Sequence, residues 1–176
     1  HVEIARDIAE RFNNKYGQTF KLPQPLISKE GVKIKDLKDP IKKMSKSETN
    51  PNGVISLFDS PEMVTKKIMG ATTDSENLVY FDEENKPGIS NLLNIASVIS
   101  KRTTEDIANE YKTAGYGNFK KYVASLTSQM ISDIQEKYNH IISSGKLEEI
   151  LSKGKEKSRK LAYEKMNQMK KKVGLN

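Results

Sequence analysis

An apolar stripe at helical spacing runs from Asn118 to about Ser143 and limits the folds that this chain can adopt. Its members are Phe119, Tyr122, Val123, Leu126, Met130, Ile134, Tyr138 and Ile141. Residues three and four positions apart share one face of an α-helix, so this spacing predicts a long helix with one face in a core. The helical period begins near residue 60 and continues to the end of the chain, which predicts a mainly α-helical fold.

Helix boundaries are also signalled before this stripe. Ser60 followed by Pro61 is typical of a helix start, and Gly70 is typical of a helix end. The segment PGISNLLNIASVIS places apolar residues on one face and predicts another helix. Thr103 with Asp106 resembles a capping box and predicts the start of the next one.

The charge of the chain favours anionic partners. Thirty basic and 23 acidic residues give a formal net charge of +7, which does not distinguish nucleic acid from nucleotides or a membrane surface. After Gly145 a final helix is predicted whose side chains include ten basic and four acidic groups. Its outer surface is therefore expected to be strongly cationic.

Several kinds of site are excluded by what the sequence lacks. There is no cysteine for disulfides or thiolate metal sites, and His1 and His140 are the only histidines. We predict no metal site, because the five carboxylates of residues 74–84 lack the spacing of a calcium loop and favour an acidic surface connection instead. No apolar run approaches 18 residues, so we expect a cytoplasmic protein that does not enter a membrane.

The first 70 residues differ from the rest of the chain. HVEIARDIAERFNNKYG predicts a helix ending near Gly17, yet neither an initiating methionine nor a capping residue precedes it, so we expect a fragment of a longer protein. GVKIKDL allows a short strand, and a loop rich in lysine and serine follows it. These elements suggest the closing part of an α/β nucleotide-binding domain.

The loop lies in DPIKKMSKSETNPNG, residues 39–53, whose prolines, asparagines and glycine are typical of surface turns. Its ammonium and hydroxyl groups belong to Lys42, Lys43, Ser45, Lys46 and Ser47. Most lysine-rich loops are only solvated, but donors at this density are also what a polyphosphate needs. Charge alone leaves both interpretations open.

The segment from Lys43 to Ser47, KMSKS, matches letter for letter the second signature of class I aminoacyl-tRNA synthetases. HVEIARDIAERFN, KPGISNLLNI and GYGNFKK are similar to segments of one branch of that class, in the same order. The whole chain thus resembles the C-terminal half of bacterial tryptophanyl-tRNA synthetases. The resemblance implies that residues 1–70 are the C-terminal remnant of a Rossmann-like catalytic domain, and that residues 71–176 form a helical domain of the tRNA anticodon-binding type.

Enzymes of this family join tryptophan to the α-phosphorus of ATP, expel pyrophosphate, and transfer the activated amino acid to tRNA(Trp). The resemblance implies that Lys43 and Lys46 are catalytic, stabilising charge on the leaving phosphates in a reaction controlled by positioning and electrostatics. Ser45 and Ser47 are expected to donate to phosphate oxygens.

Two apolar residues complete the ATP site that the resemblance implies. Met44 is expected to be a packing anchor or an adenine-side contact. Ile34 is expected to lie against adenine through its main chain, although a plain strand residue is an equally good interpretation.

The partners implied by the resemblance are ATP with the Mg²⁺ that it carries, L-tryptophan, tRNA(Trp) and a second subunit of a full-length homodimer. The family's first signature and its tryptophan-selecting residue are missing here, so this chain alone is expected to be inactive. The alternative function is a non-catalytic helical nucleic-acid-binding module. KMSKS between a short strand and a helix favours the ligase, since basic helices alone would serve a binding module.

RNA contacts are expected in the helical part, where aromatic groups would stack on bases and cations would hold phosphates. The candidates are Tyr111, Tyr116, Lys120 and Lys121, with Lys153, Lys155, Lys157, Arg159 and Lys160 on the final helix. Tyr122 and Tyr138 lie on the apolar stripe and are expected in the core, whereas the glycines that flank Tyr116 predict an accessible ring.

Overall fold

The computed structural model describes residues 1–26, 33–47 and 49–175. In these ranges the helices are α1 (Val2–Tyr16), α2 (Pro61–Met69), α3 (Pro87–Ser100), α4 (Thr104–Tyr111), α5 (Gly115–Ser143) and α6 (Lys146–Lys172). The chain divides into two compact units, His1–Gly31 with Ile141–Asn176, and Val32–His140. The prediction of a mainly α-helical fold is confirmed.

The first unit is organised around the turn that follows α1. The carboxamide of Asn13 accepts hydrogen bonds from the amides of Thr19 and Phe20, both at 2.9 Å, and donates to the Phe20 carbonyl at 2.7 Å. Two lysines of α6 donate to carbonyls of the same turn, Lys165 to Thr19 and Lys172 to Gln18, each at 2.8 Å. The turn is therefore held from both helices, and the C-terminal part of α6 is attached to it.

The second unit has one apolar core, and α3 is its central helix. All residues of α3 from Gly88 to Ala96 are buried, including Leu92 and Leu93 with no exposed surface. The other buried members come from the segment before α2, from α2, α4 and α5, and from the connection between α2 and α3. They are Leu37, Val64, Ile68, Ala71, Val79, Ile107, Ala108, Tyr116, Phe119, Val123, Ala124 and Ile131. Burying each large aliphatic side chain contributes about 1.5–3 kcal/mol, so this core is the main stabilising feature of the unit.

The predicted helix starts are confirmed at the level of individual hydrogen bonds. The Ser60 hydroxyl accepts from the Met63 amide at 3.2 Å and caps α2. The Thr103 hydroxyl accepts from the Asp106 amide at 3.1 Å and donates to the Asp106 carboxylate at 2.7 Å, which caps α4. Such caps satisfy backbone donors that the first helical turn leaves unpaired.

The short strand predicted in GVKIKDL does not form in the part of the chain that the structure describes. An isolated antiparallel bridge between Lys35 and Lys43 takes its place. The two hydrogen bonds that flank this bridge join Asp36 to Lys42 and Met44 to Ile34. Gly31 and Val32 at the start of the predicted strand lie outside the described residues.

The division into two domains near residue 70, which the family resemblance implies, stays a prediction. Leu37 and Val64, before that position, share one core with Leu92 and Phe119 beyond it. The two compact units described above are divided at other positions.

Candidate phosphate-binding loop

Residues 34–36 and 42–44 form a small hairpin, called here the loop hairpin, that presents the KMSKS segment. The Asp36 amide donates to the Lys42 carbonyl at 2.9 Å, and the Met44 amide donates to the Ile34 carbonyl at 3.1 Å. These bonds flank the bridge between Lys35 and Lys43. They fix where KMSKS leaves the hairpin.

The buried carboxylate of Asp36 organises the turn of the hairpin. Its side chain is 2% exposed, and one oxygen accepts from the amides of Lys38 at 2.7 Å and Asp39 at 2.9 Å. Asp39 in turn forms an ion pair with Lys42 at 2.9 Å across the turn, and the hydrogen bond from Lys42 lowers the pKa of the Asp39 carboxyl. Asp and Asn commonly stabilise turns by such bonds to following amides.

The far end of the loop returns to the same point. The Leu37 amide donates to the Gly53 carbonyl at 2.9 Å, and the Leu37 carbonyl accepts from the Thr72 amide at 2.8 Å. A Cβ atom on Gly53 would collide with the Asp36 carboxylate, so glycine is required for this approach. Both ends of the loop are thereby fixed to one buried position.

Met44 is the member of KMSKS that faces inward. It is half-buried and packs against the apolar core, as does Ile34. The packing-anchor interpretation of Met44 is therefore supported by its position. The structure brings Ile34 and Met44 together through their backbone hydrogen bond, which engages the Ile34 carbonyl.

The polar members of KMSKS face outward. Lys43, Ser45, Lys46 and Ser47 are exposed, and the two serine hydroxyls lie 3.1 Å apart. Within the described ranges, neither lysine ammonium forms a hydrogen bond or ion pair with another residue. The loop thus presents two cations and two hydroxyls to an external anion, an arrangement that suits phosphate oxygens.

Asn91 on α3 is a contact of the loop hairpin that the sequence did not reveal. Its carboxamide donates to the Lys35 carbonyl at 2.9 Å and accepts from the Lys35 amide at 2.8 Å. The side chain is 2% exposed. The available signal was an asparagine inside the apolar run of KPGISNLLNI, because a polar side chain in a buried helix requires partners.

The acidic stretch after α2 is explained in part by a buried lysine. Lys86, 2% exposed, contacts the carboxylates of Asp74 at 2.9 Å and Glu76 at 2.6 Å and the hydroxyl of Tyr116 at 2.8 Å. Burial opposes its charge, but the hydrogen bonds to Glu76, Tyr116 and Asp74 raise the pKa of Lys86 above its usual range. Within the described residues, no group of three or more His, Cys, Asp or Glu side chains could hold a metal ion.

Tyr116 corrects one prediction of the RNA contacts. The ring is 8% exposed, and its hydroxyl donates to Asp74 at 2.5 Å besides contacting Lys86. Burial, followed by the hydrogen bond to Asp74, raises the pKa of this hydroxyl. The expectation of an accessible ring is wrong, because Gly115 begins α5 and directs Tyr116 to the core instead of leaving it in an open turn.

The remaining aromatic and basic candidates differ in accessibility. Tyr111 and Tyr122 are half-buried and stack on one another with ring centres 4.8 Å apart. Tyr138, expected in the core, is 46% exposed and has its ring edge-to-face with Phe58 at 5.4 Å. Lys120 donates to the Ala71 carbonyl at 2.7 Å, and burial and the nearby Lys38 lower its pKa.

The predicted cations of α6 are exposed. Lys153 pairs with Glu149 at 2.5 Å, while Lys155, Lys157, Arg159 and Lys160 lie at the surface of the helix. Across the described residues, no helix is both long and apolar enough to cross a membrane.

Comparison with known proteins identifies the family. The model of the family described as tRNA synthetases class I (W and Y) matches residues 1–132. The chain is 46% identical over 176 residues to a tryptophan–tRNA ligase of Bacillus anthracis, covering 100% of this chain and 54% of that relative. It is 43% identical over 175 residues to the tryptophan–tRNA ligase of Bacillus subtilis (strain 168), covering 99% and 53%.

The solved structures that are similar to this chain are of the same kind of enzyme as these relatives. The fold is similar to the crystal structure of tryptophanyl-tRNA synthetase from Mycoplasma pneumoniae, with a TM-score of 0.91 and 34% identity, over 100% of this chain and 55% of that chain. A second similar structure is the tryptophanyl-tRNA synthetase from Campylobacter jejuni, with a TM-score of 0.62 and 35% identity, covering 99% and 53%.

The chain therefore belongs to the class I tRNA synthetases of the W and Y family. It spans about half the length of the curated relatives that it matches. The relatives described here belong to the tryptophan branch of that family.

Proposed function

We propose that this chain supplies the ATP-phosphate loop and a tRNA-binding helical part of a tryptophan–tRNA ligase. Such an enzyme activates L-tryptophan with Mg²⁺-bound ATP and transfers the product to tRNA(Trp). Lys43 and Lys46 stabilise negative charge on the pyrophosphate as it leaves, and Ser45 and Ser47 donate to its oxygens. Met44 anchors the loop, and Ile34 lies beside adenine. The cytoplasm, where translation takes place, is the proposed location.

The observation that carries this proposal is the KMSKS segment on a fixed base with its cations facing outward. Lys42 forms an ion pair with Asp39, whereas Lys43 and Lys46 form none within the described residues. A lysine without an ion-pair partner in the protein can bind a phosphate strongly, because no ion pair within the protein has to be broken first.

A non-catalytic helical nucleic-acid-binding module explains less of the structure. Cationic residues of α6 would serve such a module, but it would need neither the buried Asp36 nor the close approach of Gly53 at the base of the loop. These features fix the geometry of a loop that would otherwise be a solvated connection.

The proposal is tested first with this chain alone. Incubation with tryptophan, Mg²⁺-ATP and labelled pyrophosphate is expected to give no exchange, because this sequence contains neither the family's first signature nor its tryptophan-selecting residue. Exchange above a heat-killed control would contradict this expectation.

The role of the loop is tested in a complete ligase that includes this sequence. Lys46→Ala is expected to lower the rate of adenylate formation about 10²-fold or more while changing the KM for tryptophan less than about threefold. Lys137→Ala removes another exposed lysine, on α5, and is the matched control. Equal losses in rate and in tryptophan affinity, or equal effects of the two variants, would refute the role of Lys46 at the leaving group.

A further inference from the structure

We propose that Asn91 is a positioning residue that holds the KMSKS loop in register for ATP, acting from α3 through the backbone of Lys35. This inference rests on the proposed function of the loop. Asn91 touches the hairpin that carries the catalytic lysines and none of the lysines' ammonium groups, so its role is indirect.

The hydrogen-bond pattern of the loop hairpin shows why an external partner is needed. The Asp36 and Met44 amides make the bonds on either side of the bridge between Lys35 and Lys43. In an antiparallel pair with this pattern, the amide and carbonyl of Lys35 point away from the opposite segment. In a complete sheet, a further strand would pair with them.

Asn91 takes the place of that further strand. A carboxamide carries an acceptor and a donor in one plane, as a peptide group does, and here it pairs with both backbone groups of one residue at 2.8 and 2.9 Å. Asn91 is 2% exposed and lies in the most buried helix of its unit. The hairpin is thus attached to the core by a side chain that cannot move independently of the core.

This attachment determines the direction of the loop. Lys35 lies opposite Lys43, the first residue of KMSKS. The amide of the next residue, Met44, donates to the carbonyl of Ile34. A shift of Lys35 along α3 would be transmitted to Lys43 within one residue pair. Because catalysis by the loop depends on placing ammonium groups within a fraction of an ångström of phosphate oxygens, a loosened base would lower the rate more than the binding of tryptophan.

The first measurement is amide hydrogen exchange by NMR on this chain. Asn91→Leu retains the approximate volume and removes both hydrogen bonds. Its Asp36 and Met44 amides are expected to exchange at least tenfold faster, although neither is bonded to Asn91, while the amides of Phe119 and Val123 keep their protection. Asn91→Ala also removes both hydrogen bonds, with a side chain too small to clash, and it replaces Asn91→Leu if that variant fails to fold.

Asn94→Leu is the matched control. Asn94 is one turn further along α3 and 7% exposed, and within the described residues its side chain makes no hydrogen bond to the loop hairpin. It also lines the cavity of about 180 Å³ between α3 and the turn of the hairpin, as Asn91 does. Replacing it tests the effect of removing a buried carboxamide without releasing Lys35.

The second measurement is adenylate formation in a complete ligase that includes this sequence. Asn91→Leu is expected to lower kcat at least tenfold with a KM for tryptophan within threefold of the parent, and Asn94→Leu is expected to change neither by more than threefold. Unchanged exchange at Asp36 and Met44 would overturn the inference. Faster exchange with an unchanged kcat would also overturn it, provided that Lys46→Ala slows the reaction in the same assay. If Lys46→Ala has no effect, the proposed function of the loop fails, and exchange alone then decides whether Asn91 holds the hairpin.

Discussion

Replacing Asp74 with asparagine removes one charge from the buried cluster of Lys86 and Tyr116 and tests how strongly that cluster stabilises the second unit. Burial raises the pKa of the Asp74 carboxyl, but the hydrogen bonds from Tyr116 and Lys86 outweigh burial and lower this pKa from 3.8 to about 2. Each tenfold change in a protonation equilibrium corresponds to about 1.4 kcal/mol, so ionisation of Asp74 contributes about 2.5 kcal/mol to stability at neutral pH.

The sign of the pH dependence follows from the lowered pKa of Asp74 in the folded state. The contribution is fully present above the unfolded value of 3.8 and is lost as the pH falls through about 2. At pH 3 about half of it remains, roughly 1.3 kcal/mol. Asp74→Asn should therefore lower the free energy of unfolding by about 2–3 kcal/mol at pH 7 and by about half as much at pH 3.

Urea denaturation followed by circular dichroism at both pH values measures these differences. Asp133→Asn is the control, because Asp133 is an exposed carboxylate on α5 that accepts from Gln129 at 2.8 Å. It is expected to change stability by less than about 0.5 kcal/mol at either pH. A deficit for Asp74→Asn that is the same at pH 7 and pH 3, or no larger than that of the control, would refute the assignment of this stabilisation to the Asp74 charge.

Two further predictions concern the loop and the cationic helix. Gly53→Ala places a Cβ against the Asp36 carboxylate and should lower the free energy of unfolding, measured by urea denaturation, by roughly 1–3 kcal/mol. Gly117→Ala is the control and should not destabilise the chain, because the space around Gly117 is open. Equal stabilities of the two variants would contradict the close approach of Gly53 to Asp36. Fluorescence anisotropy should show weak binding of tRNA(Trp) to this chain. The logarithm of the affinity should fall linearly with the logarithm of the salt concentration, because phosphates are expected to provide most of the contacts. Binding that does not depend on salt would remove the cations of α6 from the proposal.

The features that could be predicted from sequence are those determined by neighbours along the chain. Helical spacing identified α5. The hydroxyls of Ser60 and Thr103 identified the starts of α2 and α4, because each capping hydroxyl accepts a hydrogen bond from the amide only three residues later. KMSKS could be recognised because its five residues are contiguous. Proline, asparagine and glycine around it correctly predicted a loop.

The features that were missed depend on residues far apart in sequence. Tyr116 and Asp74 are separated by 42 positions, so the glycines beside Tyr116 indicated only local freedom and not the buried partners of its hydroxyl. The segment predicted as a strand near Ile34 forms a single bridge, to Lys43, and the backbone of Lys35 pairs instead with Asn91, 56 positions away. Local propensity does not contain these contacts, and tertiary packing decided them.

The contact between Asn91 and Lys35 spans 56 positions of sequence, and this separation bears on attempts to transplant the loop. A synthetic peptide of residues 33–53 would contain every letter of the signature and the whole turn, but it would lack α3 and the carboxamide that completes the hairpin. The Thr72 amide, which bonds Leu37, would be missing as well. The loop proposed to bind phosphates is therefore not expected to work when it is moved alone. On the inference drawn for Asn91, a scaffold that receives KMSKS must also provide a buried helix with an asparagine facing the base of the hairpin.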